Sequence, residues 1–354
     1  MSQRLRRKVK EEVQEETQTE AEKIKEVKHS IKIHKTSKHL ISTGSTLLDL
    51  AISGKRYTGG GIPGGIMVEI FGGSGSGKTA ILVECCASAQ ETCDGQVMFL
   101  DPEARLDQEY AELYGLELEK KNYHRPDTVE EMFKYVNEWE TTPDVINIIA
   151  ADSLAALSTE LEMEKGDKMG MRRAKQFSEG LRKTCRKIAE ENKLLLCSNQ
   201  VRQGDFGDVT PGGKGVPFYA SLRISIKQIN KIEKEKTIRG KKFKKVIGIE
   251  STCTIIKNSL DDPYRQAPIR LIFGKGIDDV GANLQWLKTS LGNTSYLVGD
   301  KSYVGLEPAI KYAEDNNLED VIRNEVIELW EEIEGSFVQE TKKKKRFKLS
   351  CQTE

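Results

Sequence analysis

The chain has 354 residues, 31% of them charged and 37% hydrophobic, with 55 Lys plus Arg against 55 Asp plus Glu. That length suffices for a substantial core with appendages, and the balanced charge excludes a polyanion-binding surface made by bulk charge, so any such surface must be local. No apolar run reaches the ~20 residues needed to span a bilayer, the N-terminus is charged and has no apolar signal segment, and the seven cysteines lack CxxC or Cys/His clustering. Those cysteines read as reduced, buried thiols rather than a metal site.

Residues 1–40 are rich in Lys, Arg, Glu and Gln and carry Leu5, Val9, Val13, Ala21, Ile24 and Val27 at helical spacing. The stripe is too thin for a core of its own. It fits either a solvated arm or a helix that docks on another subunit, and the spacing does not separate the two. From residue 41 short β-rich runs appear at 66–71, 96–100, 145–151, 194–198 and 222–226, between amphipathic stretches at 80–90, 129–140 and 173–191. This alternation predicts an α/β core with a largely parallel sheet whose strands are buried on both faces. Residues 229–245 (INKIEKEKTIRGKKFKK) read as an exposed hairpin tip turning at Arg239-Gly240. Past residue 281 comes a smaller region ending in an amphipathic helix near 318–333, and then a basic tail, KKKKRFK, at 342–348.

Gly72-Gly73-Ser74-Gly75-Ser76-Gly77-Lys78-Thr79 fits G-x-x-x-x-G-K-[ST], between the strand-like IMVEIF and the helix-like AILVECCASAQ. In such a loop the glycines turn backbone N–H groups inward around ATP phosphates, the lysine reaches the β- and γ-phosphates, and the Thr79 hydroxyl ligates Mg²⁺. The following helix adds its positive dipole end to the phosphate site. The run VINIIAADS ends a hydrophobic strand at Asp152, a second Mg²⁺-shell carboxylate. Hydrolysis also needs a group that orients water. LDPEARLD places Asp101 and Glu103 just past a strand, and Glu103 is the candidate.

Several segments, in order, resemble the RecA/RadA recombinase family, bacterial and phage RecA proteins most closely. They include ISTGSTLLDLAI, FLDPEARLDQEYAELYG, INIIAADSLAALSTELEMEKGDKMGMRRAKQF, LLLCSNQVR, TPGGKGVPFYASLRISI, IIKNSLDDPYRQA and FGKGI, and they span roughly residues 41–281. The resemblance implies a RecA-type P-loop ATPase core at 41–280, with an N-terminal helical oligomerisation arm at 1–40. A small C-terminal α/β domain at 281–340 and a basic disordered tail at 341–354 would follow. It implies a DNA-dependent ATPase that forms helical filaments of itself on single-stranded DNA. Such a filament pairs that strand with homologous duplex and exchanges strands, assisted by single-strand-binding and mediator proteins, in the bacterial cytoplasm and from a cellular or phage gene.

Carried over residue by residue, Glu103 matches the family's catalytic glutamate. Tyr110 sits where an aromatic stacks on adenine, Asp107 where a carboxylate meets the base, and Gln200 where a γ-phosphate sensor stands. Two loops match the family's DNA-binding loops. The first, at 162–170, leads into Arg172, Arg173, Lys175 and Arg182, and the second holds Arg202, Phe206, Gly212, Gly213 and Lys214. Cations would neutralise phosphates while Phe206 contacts bases. Taken without the resemblance, residues 172–186 fit an ordinary basic helix face equally well.

Lys257 matches the first of two lysines that the family extends to a neighbour's nucleotide. The second position is Ser259 here, which weakens trans-activation unless Arg265 substitutes. The tail, basic where bacterial relatives are commonly acidic, would attract DNA. A ring-shaped helicase motor and a non-catalytic accessory are the competing readings. The first leaves TPGGKGVPFYASLR unexplained, and the second leaves Lys78, Thr79, Glu103, Asp152 and Gln200 unexplained.

Overall fold

A computed structural model describes residues 39–160, 170–204 and 207–337. The expected arm, most of the first glycine-containing loop, Phe206, the side chain of Arg202 and the basic tail lie outside the described residues. The chain enters its core at Ile41, which bridges Ile62, and forms α1 (Thr46–Ser53) behind an N-cap at Ser45. There follow β1 (Met67–Gly72), α2 (Lys78–Cys93), β2 (Val97–Leu100), α3 (Gln108–Leu113), β3 (Tyr123–His124), α4 (Val129–Glu138), β4 (Asn147–Ala151), α5 (Gly170–Glu190) and β5 (Lys193–Gln200). A short hairpin, β6 (Arg202–Gly204) and β7 (Gly207–Val209), leads through α6 (Gly215–Tyr219) to the long strands β8 (Leu222–Ile238) and β9 (Lys241–Asn258). The rest is β10 (Gln266–Ile272), β11 (Gly276–Ile277), α7 (Asp279–Ser290), β12 (Tyr296–Val298), β13 (Lys301–Tyr303), α8 (Leu306–Asp315) and α9 (Glu319–Ser336).

Among the described residues the main sheet has nine strands in the order β11-β10-β9-β8-β1-β5-β4-β2-β3. Pairing is parallel from β8 to β3 and antiparallel from β8 to β11. The expected two-sided burial follows from the period-2 geometry of strands. Val68, Ile70, Ile148, Leu194 and Leu196 enter one buried cluster, and Met67, Ile149, Leu195 and Cys197 enter the other. The first cluster continues into Leu284, Leu287, Val298, Ala309, Ile322, Val326 and Trp330, so the region past residue 281 packs on α1 and the sheet through shared apolar surface. α4 lies on the second face beside α5, where buried Phe133 meets Phe177 edge-on. The ammonium of Lys193 donates to the Trp139 carbonyl at 2.8 Å, placing a cation at the C-terminal end of α4, where the helix dipole favours one. Free cysteines at 85, 86, 93, 197 and 253 are buried and Cys185 is half-buried.

The register aligns the strand ends that carry chemistry. Gly72, the last residue of β1, pairs with Gln200 on one side and Ile226 on the other. Leu100 pairs with Ala151, and Ala151 with Cys197. Asp101, Asp152 and Gln200 therefore emerge together with the P-loop at the carboxyl edge of the parallel strands, where open α/β sheets bind ligands.

Candidate nucleotide site and its link to the loop after β5

The loop after β1 takes its shape from two left-handed glycines, Gly75 at φ +71° and Gly77 at φ +104°, which a side chain would oppose. A Cβ at Gly73 or Gly75 would meet nothing within 4 Å, so both positions face open space. A Cβ at Gly72 would stand 2.1 Å from the Ile226 carbonyl oxygen, so that glycine serves sheet packing instead. Ser76 ties the loop back on itself by donating to the Gly73 carbonyl at 2.9 Å. The Lys78 ammonium donates to the carbonyls of Gly72 (3.1 Å) and Gly73 (2.7 Å). Burial pushes its pKa below the usual lysine range, with Asp152 and Glu103 opposing that shift.

Thr79 donates through Oγ1 to Asp152 Oδ2 at 2.6 Å, and Ser198 donates through Oγ to Asp152 Oδ1. A hydroxyl and a carboxylate, both hard oxygen donors, meet at the mouth of the phosphate loop. That is the donor chemistry Mg²⁺ takes when nucleotide phosphates and water complete its shell. Among the described residues no group of three or more His, Cys, Asp or Glu is placed to hold a metal ion.

Glu103 Oε1 accepts from Ser153 Oγ at 2.7 Å and from Gln200 Nε2 at 3.2 Å, and Oε2 pairs with Arg105 at 2.7 Å. One carboxylate is thus oriented from three chain segments. A cavity of about 370 Å³ is lined by Ser74, Gly75, Lys78, Thr79, Asp101, Glu103, Arg105, Asp107, Tyr110, Asp152 and Gln200. An adjoining one of about 480 Å³ runs along the loop to Tyr110, Tyr114, Leu271 and Phe273. The Tyr110 and Tyr114 hydroxyls are 2.9 Å apart with ring centroids at 5.0 Å, giving an aromatic wall of the kind a purine packs on. Asp107 lines the first cavity and also caps α3, accepting from the Glu109 N–H at 3.1 Å.

Beyond Gln200 the bonds continue toward the second loop. Asn199 Nδ2 donates to Glu69 Oε1 and to the Pro211 carbonyl, each at 2.9 Å. Buried Glu69 is balanced by Arg223 Nε at 2.6 Å. The turn after Pro211 lies against α5. Gly212 and Gly213 have φ of +100° and +66°, and a Cβ on Gly213 would stand 2.5 Å from the Ala174 Cβ. A Cβ on Gly215 would meet Ser178 Oγ at 2.4 Å. The sequence offers Gly212 and Gly213 as DNA contacts, and the structure adds a packing reason for both. Along α5, Lys175 and Arg182 are exposed, Arg172 and Arg173 half-buried, and Lys214 exposed on the turn. Arg173 donates to the Ala155 carbonyl at 3.4 Å, and Lys175 lies 3.8 Å from Glu179.

Lys257 is not among the residues lining its own chain's cleft. Its ammonium donates to the carbonyls of Pro217 (3.0 Å) and Phe218 (2.8 Å), and burial, with Arg223 nearby, lowers its pKa. Arg265 is engaged within its own chain. It pairs with Asp261 at 3.3 Å and Glu334 at 2.7 Å and lies 5.2 Å from the Trp330 ring centroid. Three acids, counting Asp262 at 3.6 Å, thus hold the guanidinium that the sequence offers as a substitute trans cation. Sequence reasoning placed Ser153 only as the residue after Asp152 and gave no role to Ser198, Arg105 or Asn199. The one available signal was the polar run Ser198-Asn199-Gln200 ending an apolar strand.

The RecA N-terminal domain family model matches residues 7–278. Protein RecA of Colwellia psychrerythraea is 35% identical over 250 residues, covering 68% of each chain. Protein RecA of Rippkaea orientalis is 33% identical over 302 residues, covering 81% of this chain and 82% of its own. For Protein RecA of Acinetobacter baylyi the figures are 31% over 305 residues, 81% and 83%.

Proposed function

The chain belongs to the RecA family, DNA-dependent ATPases of recombination and repair, and from that premise we propose that ATP occupancy of the cleft sets the posture of its second DNA loop. The observation that carries this is a run of hydrogen bonds in which the Gln200 side-chain amide donates to Glu103, the Gln200 backbone N–H donates to Asn199 Oδ1, and Asn199 Nδ2 donates to the Pro211 carbonyl. The Gln200 amide donates to Glu103, and a phosphate oxygen would compete for that donor. Drawing Gln200 away from Glu103 shifts the strand end that holds Pro211, and with it a turn packed on α5. Both DNA-facing segments then respond to one change.

In this reading Lys78 supplies positive charge to the terminal phosphates, and Thr79 and Asp152 hold Mg²⁺. The ion, when bound, would neutralise charge on the β- and γ-phosphate oxygens. Glu103, aimed by Ser153 and Arg105, orients the attacking water and takes its proton. Arg172, Arg173, Lys175, Arg182, Arg202 and Lys214 neutralise the DNA backbone without reading sequence, leaving homology to base pairing. Copies of the chain assemble as a filament on single-stranded DNA, and Lys257 of one copy serves the nucleotide of the next. No helix among the described residues is long and apolar enough to cross a membrane, and the bacterial relatives favour work in a bacterial cytoplasm.

Strand exchange between circular single strands and linear duplex, with ATP turnover followed in parallel, tests the reading. Wild type should exchange strands and hydrolyse ATP faster with single-stranded DNA, and Lys78→Ala should do neither. Lys257→Ala should keep nucleotide binding and lose about a hundredfold in DNA-stimulated turnover, the scale of one lost transition-state donor. Unchanged stimulated turnover would remove Lys257 from the trans site. Closed rings in place of filaments by electron microscopy would favour a helicase-type motor.

A further inference from the structure

The turn that follows β2 carries a cation whose bonds within the chain leave most of its donors unused. Asp101 pins the backbone of this turn, its carbonyl accepting the Ala104 N–H at 3.1 Å and its Oδ2 the Leu106 N–H at 2.8 Å. Tyr123 of β3 donates to the same Oδ2 at 2.7 Å. Within the turn Ala104 takes a φ of +52°, which a residue with a Cβ adopts only when its surroundings impose it. Glu103 and Arg105, on either side of Ala104, both line the cavity of about 370 Å³ beside the phosphate loop.

Arg105 joins a fixed backbone to a free head. Its side chain is 79% exposed, and its ionic contact runs from Nη1 to Glu103 Oε2 at 2.7 Å. A guanidinium carries five N–H donors in a planar fork, and among the described residues no acceptor engages Nε or Nη2. An ion pair this exposed contributes little to stability. Glu103 does not depend on it for position either, since Oε1 is already held by Ser153 and Gln200. The other cation lining this cavity, Lys78, is buried and bonded to the Gly72 and Gly73 carbonyls. Asp101, Glu103, Asp107 and Asp152 line the same cavity, an excess of negative charge to which a nucleotide triphosphate adds more. Neither packing nor stability accounts for an arginine here.

We propose that Arg105 is a catalytic residue acting on the nucleotide of its own chain, donating from its unused N–H groups to a γ-phosphate oxygen while Nη1 keeps its hold on Glu103. In the step itself the water oxygen bonds to the γ-phosphorus and Glu103 takes the proton that the water gives up. The bond from the γ-phosphorus to the bridging oxygen breaks, and its electron pair leaves on ADP. Negative charge meanwhile spreads over the γ-phosphoryl oxygens, where a guanidinium stabilises the transition state more than the ground state. The planar fork suits a double task, meeting a carboxylate with one edge and a phosphate oxygen with the other. Base and cation thus stand two residues apart on one pinned turn, so the geometry that aims the water also places the charge. Lys257 reaches a nucleotide only from a neighbouring copy, whereas Arg105 belongs to the cleft of each chain by itself.

The proposal rests on the reading of the cleft as a site of ATP hydrolysis, and its test separates failure of the one from failure of the other. Full-length wild type, Arg105→Gln, Glu103→Gln and the double variant Arg105→Gln/Glu103→Gln are titrated with ADP, and with ADP plus aluminium fluoride as a mimic of the phosphoryl group in transfer. Mg²⁺ and single-stranded DNA are present throughout, and ATP turnover is measured on each protein. Arg105→Gln should keep its ADP affinity, which also shows that it folds. It should lose about a hundredfold or more in turnover, the scale of one lost transition-state donor, and bind the mimic at least about tenfold more weakly. Adding Arg105→Gln to Glu103→Gln should weaken the mimic by a similar factor, because a phosphate contact does not pass through Glu103. A double variant that binds the mimic as tightly as Glu103→Gln alone would overturn the proposal and leave Arg105 as a positioning residue for Glu103. Wild-type turnover in Arg105→Gln would overturn it as well. Mixed with Lys78→Ala protein, whose own clefts do not turn over, Arg105→Gln should stay inactive, and recovery would refute action within one chain. Wild type that binds ADP with aluminium fluoride no tighter than ADP alone would instead count against the hydrolytic reading of the cleft.

Discussion

In the nucleotide cleft Lys78 rests on the carbonyls of Gly72 and Gly73, while the Asp152 carboxylate accepts hydroxyls from Thr79 and Ser198. On α5 and the turn after Pro211, Lys175, Arg182 and Lys214 stand in water. Both regions handle phosphates in the reading above, and they solve different problems. A cleft that stabilises a transition state must hold its groups in place beforehand, so each is bonded to another before substrate arrives. A surface that gathers a polyanion by counterion release needs charge and reach, and fixed side-chain geometry adds little.

The largest expected effect tests the preorganised half of that contrast. Glu103→Gln retains size and an acceptor for Ser153 and Gln200 but gives up the Arg105 pair and cannot take a proton, so ATP turnover should fall at least about a hundredfold, with nucleotide binding kept. Binding by a fluorescent ATP analogue beside steady-state turnover makes the check. A variant that still turns over near the wild-type rate would show that the bonds from Ser153, Gln200 and Arg105 orient a bystander. A smaller effect probes whether the cleft is closed off from the proposed DNA-binding loops. Asn199→Ala removes the donors to Glu69 and Pro211, and the ratio of DNA-stimulated to unstimulated turnover should drop about fivefold or more, the lower range of site-to-site coupling. An unchanged ratio would break the proposed link between Gln200 and the second loop.

The two regions also differed in how far the sequence disclosed them. A phosphate loop is a local object with fixed spacing, so Gly72 to Thr79 were legible, and the strand ends at Asp152 and Gln200 could be located from the apolar runs before them. Ser153, Ser198 and Asn199 were not, because their partners arrive from other strands through the registers Leu100↔Ala151, Ala151↔Cys197 and Glu69↔Cys197. The parallel core was readable from strand–helix alternation, whereas α1 and the packing of α7 to α9 on it depend on a shared apolar cluster. The β8–β9 hairpin was visible as a charged tip with a Gly turn, at Arg239 and Gly240. On α5 the cations were legible, but which of them face water follows from Phe177 packing on Phe133, and a residue count hides that separation. The partners of Arg265 were equally hidden, since Glu334 reaches its guanidinium from α9 beside Asp261 and Asp262.

A further effect lies on α2, where a half-buried carboxylate lacks a cation. Glu84 on α2 and Tyr114 both crowd the position of Gly276, and among the described residues no cation pairs with that carboxylate. Burial pushes its pKa from 4.5 up to about 7, Asp279 and Glu91 adding to the shift and the Ile277 N–H opposing it. The folded pKa thus lies above the unfolded one, so the native state binds more protons between about pH 4.5 and 7. Stability from this site is fully present below pH 4.5 and is lost as pH rises through 7. Glu84→Gln keeps an acceptor for Ile277 and removes the titration. The variant should gain on the order of 1–2 kcal/mol over wild type at pH 8, a value discounted for partial exposure, and little at pH 5. Urea unfolding at both pH values measures the difference. An equal change at the two pH values would mean that the amide alters packing only. A gain confined to pH 8 would show that the ionised Glu84 carboxylate is destabilised by its burial.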